Sequence, residues 1–179
     1  MEQFERQLEA KSKNYEDPAL RYFFLMNNLC HVKGKLKTFW DNRFCTNTGK
    51  YFELYFRSLW NKVIDFMKID ELVAPNSKAN SMKNKLSLFN HKFRETCGIQ
   101  STWRVFDEQL RKQIIISIEI NLFPAYKKFI PMFHNVVGKN ADEYIVYAMS
   151  DIQDQLNQLF LLDDVDCVRG LIRIQSISK

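Results

Sequence analysis

"DEQLRKQIIISIEINLFPAYKKFIPMFHNVV", residues 107–137, decides the fold. Leu110, Ile114, Ile118, Leu122, Ala125, Phe129 and Phe133 recur at steps of three or four, the spacing of one helical face. Asp107 stands where an N-cap belongs, with a side-chain oxygen free to accept an early backbone N–H. A helix from Asp107 to Val136 would run ~45 Å at ~1.5 Å per residue. Pro124 sits inside it, lacks an N–H and crowds the carbonyl of Ile120, so a kink or break is expected there. Pro131 predicts a second bend.

Working outward, the same periodicity continues on both sides. Residues 3–13 form a short charged amphipathic segment. Asp17 and Pro18 open a second helix as N-cap and first-turn proline. It runs to about Val32, with Gly34 weakening its end. Asn27 and Asn28 fall in its apolar middle and predict a satisfied polar pair bonded to neighbouring backbone. A third helix over 48–69 carries Phe52, Phe56, Leu59, Val63 and Phe66, widened by Tyr55, Trp60, Ile64 and Met67. "LVAPNSKANS" (72–81) reads as a loop. A fourth helix follows from Ser81 with Met82, Leu86, Phe89, Phe93 and Cys97 as its stripe, loosened at Gly98. A last helix starts at Ser150, which with Gln153 matches a capping box.

Composition agrees. The chain has 179 residues, with 15 Phe against only 5 Gly and 4 Pro. Few chain breakers and many aromatic anchors exclude a turn-rich β fold and a disordered chain. The fold class expected is all-α, a stacked antiparallel bundle of five to six helices over residues 1–162. Residues 163–179 form a separate tail without a helical stripe and are a candidate for disorder. No apolar run nears the ~18 residues of a membrane span. The charged N-terminus lacks a signal-peptide core, which places the chain in the cytosol. Cys30, Cys45, Cys97 and Cys167 show no CxxC pair and read as reduced thiols in or near the core.

Chemistry is sparse. His31, His91 and His134 are scattered, and there is no phosphate loop, nucleophile elbow or HExxH run. The expectation is a protein without catalysis, cofactor or metal. The net charge of +5 is unevenly spread: residues 78–112 hold eight Lys/Arg against three Asp/Glu, residues 136–179 four against seven. Basic and aromatic residues interleave from Lys78 to Arg104. However, Phe89 and Phe93 fall on the core stripe, which argues against a nucleic-acid platform.

Several blocks together resemble one family. "LEAKSKNYEDPALRYFFLMNNL", "SLW", "LFNHKFRETCGIQSTWRVFDEQLR", "FPAYKKF", "EYIVY" and "LNQLF" follow the order found in the plant-type Exo-seventy subunit of the exocyst, over about residues 8–160. The resemblance implies the C-terminal helical bundles of a longer rod that tethers secretory vesicles to the plasma membrane. It implies other exocyst subunits or regulators as partners, and a cytoplasmic protein peripheral to the plasma membrane. It also implies acidic phosphoinositide binding through a basic patch. The family segment matching "EYIVY" commonly reads Lys-Tyr-Ile-Lys-Tyr, its lysines associated with lipid. Here those positions are Glu143 and Val146, so weakened phosphoinositide binding is expected, while the two retained tyrosines, Tyr144 and Tyr147, read as core anchors of an elbow between helices. Arg111, Lys112, Lys127, Lys128 and Lys139 would compensate if they shared one face. The alternative is a diverged copy serving as bait for pathogen effectors in plant immunity.

Overall fold

A computed structural model describes residues 2–35, 41–69 and 75–161. Among these the elements are all helical: α1 (Glu2–Ser12), α2 (Pro18–Lys35), α3 (Asp41–Ser58), α4 (Trp60–Asp65), α5 (Pro75–Gln100), α6 (Glu108–Val137), a 3-10 turn (Gly138–Tyr144) and α7 (Met149–Asn157). The chain is an all-α bundle, as expected. The tail 163–179 lies outside the described residues.

The 30-residue α6 is the hub, packed by α4, α5, α7 and the 3-10 turn. Asp107 caps it as expected, its Oδ1 accepting the Leu110 N–H at 2.8 Å. Leu110, Ile114, Ile118, Leu122, Tyr126, Phe129 and Phe133 are buried. Neither proline breaks the helix. Pro124 and Pro131 both lie on its exposed side, and Ile120, whose carbonyl Pro124 leaves without a donor, is 66% exposed. Water can satisfy a carbonyl freed on that side, so the helix continues. The stripe steps from Leu122 to Tyr126 instead of Ala125, which is only partly buried.

Against this face α5 presses Met82, Leu86, Phe89, Phe93 and Cys97, the stripe read from the sequence. Phe93 meets three other rings. Its centroid lies 5.6 Å from Phe89, 6.4 Å from Trp60 and 5.2 Å from Tyr147. Each fully buried large apolar side chain contributes ~1.5–3 kcal/mol relative to exposure. Burial also pushes the Cys97 thiol up to about 12. The expected loop at 72–81 is a correction: α5 starts at Pro75, six residues before Ser81. Proline suits a first helical turn, where its missing N–H costs nothing. Gly98 also lies within α5, which continues to Gln100.

The single helix expected over 48–69 is two. It breaks at Leu59, which adopts φ −125° and ψ −67°. The break rotates the buried face, so Tyr55, Trp60, Val63 and Met67 are buried while Phe52, Phe56, Leu59 and Phe66 are only partly so. Tyr55 and Trp60, five residues apart, thereby meet in the core. The Tyr55 hydroxyl accepts Trp60 Nε1–H at 3.0 Å and Gln100 Nε2–H at 2.6 Å. Burial holds that phenol well above its ordinary range.

At the other end, Asp17 caps α2 by accepting the Ala19 N–H at 2.9 Å. Asn28 bonds the Phe24 carbonyl within its own helix at 2.8 Å. Asn27 reaches further: it donates to the Arg104 carbonyl at 2.7 Å and accepts the Phe106 N–H at 3.2 Å. That side chain ties α2 to the linker before α6. A satellite cluster of Leu8, Leu25 and Leu29 holds α1 against α2.

Candidate functional site

The segment 138–148 is an elbow between α6 and α7. Gly138 ends α6 at φ 77°, a conformation glycine adopts without a Cβ penalty, and its N–H returns to the His134 carbonyl. The 3-10 turn then buries Ala141. The capping box expected from Ser150 and Gln153 is corrected here. α7 begins at Met149, and Asp151 Oδ2 accepts the Ala148 N–H at 2.8 Å, while Gln153 Nε2 donates to Glu119 Oε1 of α6.

The two elbow tyrosines are structural anchors, as expected. Tyr144 stands edge-on to Phe133, centroids 6.2 Å apart, and its carbonyl accepts from Asn90 Nδ2 at 3.2 Å. Tyr147 packs edge-on against Phe93, and its carbonyl accepts the Tyr126 hydroxyl at 2.5 Å. Burial and the nearby Asp151 carboxylate push the Tyr126 phenol up to about 12. Glu143, just before the first anchor, is exposed, and Val146, between the two, is 50% exposed. Both positions therefore face solvent beside the seated tyrosines.

The five basic candidates do not form one patch. Lys112 and Lys139 are 27 positions apart, about 40 Å at ~1.5 Å per residue if the helix is straight. That is several times the ~8 Å screening length at physiological salt, so Lys112 adds little at the elbow. Arg111 is engaged elsewhere. Its Nε donates to the Leu159 carbonyl at 2.9 Å and its Nη2 to the Asn157 carbonyl at 2.5 Å, capping α7. Lys127 and Lys128 are exposed, about 15 Å before Gly138 along α6. Only Lys139 lies in the elbow itself.

Two cations that sequence reasoning missed do reach the elbow from α5. Lys83 Nζ sits 4.6 Å from the Tyr144 ring centroid. Arg94 Nε donates to the Tyr147 hydroxyl at 3.2 Å. With Asn90 they occupy positions i, i+7 and i+11, one row of α5, and that spacing was the available signal. Against them stand Asp142, whose Oδ1 is 3.5 Å from His134 Nε2, and Glu143. The elbow thus carries mixed charge rather than a basic face.

Among the described residues no group of three His, Cys, Asp or Glu side chains is placed to hold a metal ion. Among them, no helix is long and apolar enough to cross a membrane.

A family model described as the C-terminal part of the Exo70 exocyst complex subunit matches residues 1–158. The chain belongs to the Exo70 family. It is 43% identical over 172 residues to exocyst complex component EXO70B1 of Arabidopsis thaliana, covering 89% of this chain and 28% of that protein. Exocyst complex component EXO70C1 of the same plant is 34% identical over 174 residues, covering 89% of this chain and 26% of the relative. Human exocyst complex component 7 is 28% identical over 170 residues, 84% of this chain and 23% of its own length. This member therefore spans about a quarter of the curated Exo70 relatives it matches.

Proposed function

We propose that this chain is a non-catalytic binding module of the vesicle-tethering exocyst, with residues 1–162 as the module. It would work in the cytoplasm and at the periphery of the plasma membrane. The reading rests on membership of the Exo70 family together with one structural observation. The elbow keeps its aromatic seating through Tyr144 and Tyr147 while presenting Glu143 and Val146 to solvent. Surface complementarity to other exocyst subunits would then carry binding, with phosphoinositide attraction reduced. Each lysine near an anionic membrane contributes ~1 kcal/mol, so two lost lysines and one added carboxylate weaken the elbow by ~2–3 kcal/mol. Capture of the remaining exocyst subunits by the immobilised chain tests the first part. No retention of any subunit would overturn it.

A second reading follows from the same substitutions. A copy released from lipid binding is free to serve as bait for pathogen effectors in plant immunity. Retention of effector proteins with no retention of exocyst subunits would favour that role.

A further inference from the structure

The outward side of α6 is not the charged face of a fully solvated helix. At ~100° per residue, Gln113, Ile116, Ile120, Pro124, Lys127 and Pro131 fall within one sector of about 80°, opposite the buried Leu122 and Phe129. The row runs ~27 Å along the axis. Ile116 is 51% exposed and Ile120, one turn on, is 66% exposed. Single exposed apolar side chains are ordinary, but Ile116, Ile120 and Pro124 make a strip over successive turns, and such strips mark interaction surfaces. Beside it opens a groove of about 480 Å³, with Phe52 of α3 and Leu110, Gln113, Ile116 and Ser117 of α6 among its walls.

The two prolines add a second feature. Neither has an N–H, so the carbonyls four residues earlier, those of Ile120 and Lys127, lack their intrahelical donor. Both belong to residues of the outward sector. Open to water they cost little, but once covered each needs a donor from whatever covers it. Lipid acyl chains have no donor to offer, so this surface suits a protein rather than a bilayer. Charge bounds the strip. Lys112, whose side chain is 58% exposed, stands at one end, and the exposed Lys127 and Lys128 stand about 23 Å further along. Glu108 shares Lys112 at 3.9 Å, and Glu119 is taken up by Gln153 on the α7 side.

We propose that this row seats an amphipathic, acid-ended helix of another exocyst subunit, which rests on the binding role proposed above. A helix fits because the row is straight and offers acceptors but no ladder of backbone N–H groups for a strand to pair with. The partner's chemistry follows from the surface. Its aliphatic face packs on Ile116, Ile120 and Pro124, as i, i+4 ridges pack into the grooves of a facing helix. One large apolar side chain enters the groove beside Ile116 and anchors the contact. Ser, Thr, Asn or Gln in its middle turns donates to the Ile120 and Lys127 carbonyls. Carboxylates near its two ends, about 15 residues apart, meet Lys112 and the Lys127–Lys128 pair.

The full chain, immobilised, tests this against the purified remaining exocyst subunits, with affinity read for each. Ile116→Asp combined with Ile120→Asp should weaken retention at least about 30-fold, as expected when two central contacts are lost. Lys112→Glu with Lys127→Glu and Lys128→Glu should weaken it about tenfold at low salt and less at high salt. Leu88→Asp, an exposed apolar position on α5, is the control and should leave it unchanged. If the aspartate pair does not fold, Ile116→Gln with Ile120→Gln decides. Subunits retained equally by the unmodified chain and both α6 variants would overturn this inference while leaving the exocyst role standing. No subunit retained by the unmodified chain would overturn both. Binding to anionic vesicles that the isoleucine variants abolish would assign the row to a lipid surface and overturn it. A dimer in sedimentation that the same variants abolish would assign it to a second copy and overturn it as well.

Discussion

Phe93→Ala is the most informative perturbation of the bundle. Phe93 is fully buried and its ring meets Phe89, Trp60 and Tyr147, so it joins α5, α4 and the elbow in one contact set. Truncating a buried aromatic costs ~3–5 kcal/mol through lost transfer energy and the cavity left behind. The three ring pairs add geometry-dependent attraction of ~0.5–1.5 kcal/mol each, which places the loss toward the upper part of that range. With a urea slope of ~2 kcal/mol/M, the unfolding midpoint should fall by roughly 2 M. Urea titration followed by far-ultraviolet circular dichroism reads this directly. Phe106→Ala is the control, because Phe106 is 52% exposed and should change stability by less than ~1 kcal/mol. A Phe93→Ala loss below ~1 kcal/mol would refute the argument that this stripe is the core.

Tyr55→Phe removes the acceptor shared by Trp60 Nε1 and Gln100 Nε2, leaving two buried donors unpaired. At ~1–3 kcal/mol for each, thermal or urea unfolding should show a loss of ~2–6 kcal/mol, and a near-neutral result would mean other partners take over. Alkaline pH should also destabilise the fold. The Cys97 thiol rises from its ordinary 9.0 to about 12 and the Tyr126 phenol from 10.0 to about 12. The unfolded chain therefore releases these protons first. Their contribution is complete below pH 9 and declines between about 9 and 12. Urea midpoints that stay level across that window would contradict the assignment. Cys97 should accordingly resist alkylation at pH 8 until the chain unfolds.

Local signals carried much of the fold. Asp107, Asp17 and Pro18 act at their own helix ends, and the α5 and α6 stripes repeat over many turns, so each was legible from nearby residues. The break at Leu59 was not, because Tyr55 and Trp60 are brought together by a partner 40 residues away, Gln100 of α5. The α5 start at Pro75 was hidden because Ser, Asn and Pro fit both a loop and a first helical turn. At the elbow, the aromatic seating was foreseen from Tyr144 and Tyr147. Its electrostatics were not. Arg111 is drawn to the α7 carbonyls, and although Lys83 and Arg94 share one row of α5 with Asn90, their spacing does not say that this row meets the elbow.

Liposome co-sedimentation with acidic phosphoinositide, comparing the unmodified chain with Glu143→Lys plus Val146→Lys, bears most directly on a module that keeps the elbow's packing and lacks much of its positive charge. The account predicts weak binding by the unmodified chain and roughly 30- to 150-fold tighter binding by the double variant, from ~2–3 kcal/mol at ~1.4 kcal/mol per tenfold. Strong binding by the unmodified chain that the two lysines do not improve would contradict it.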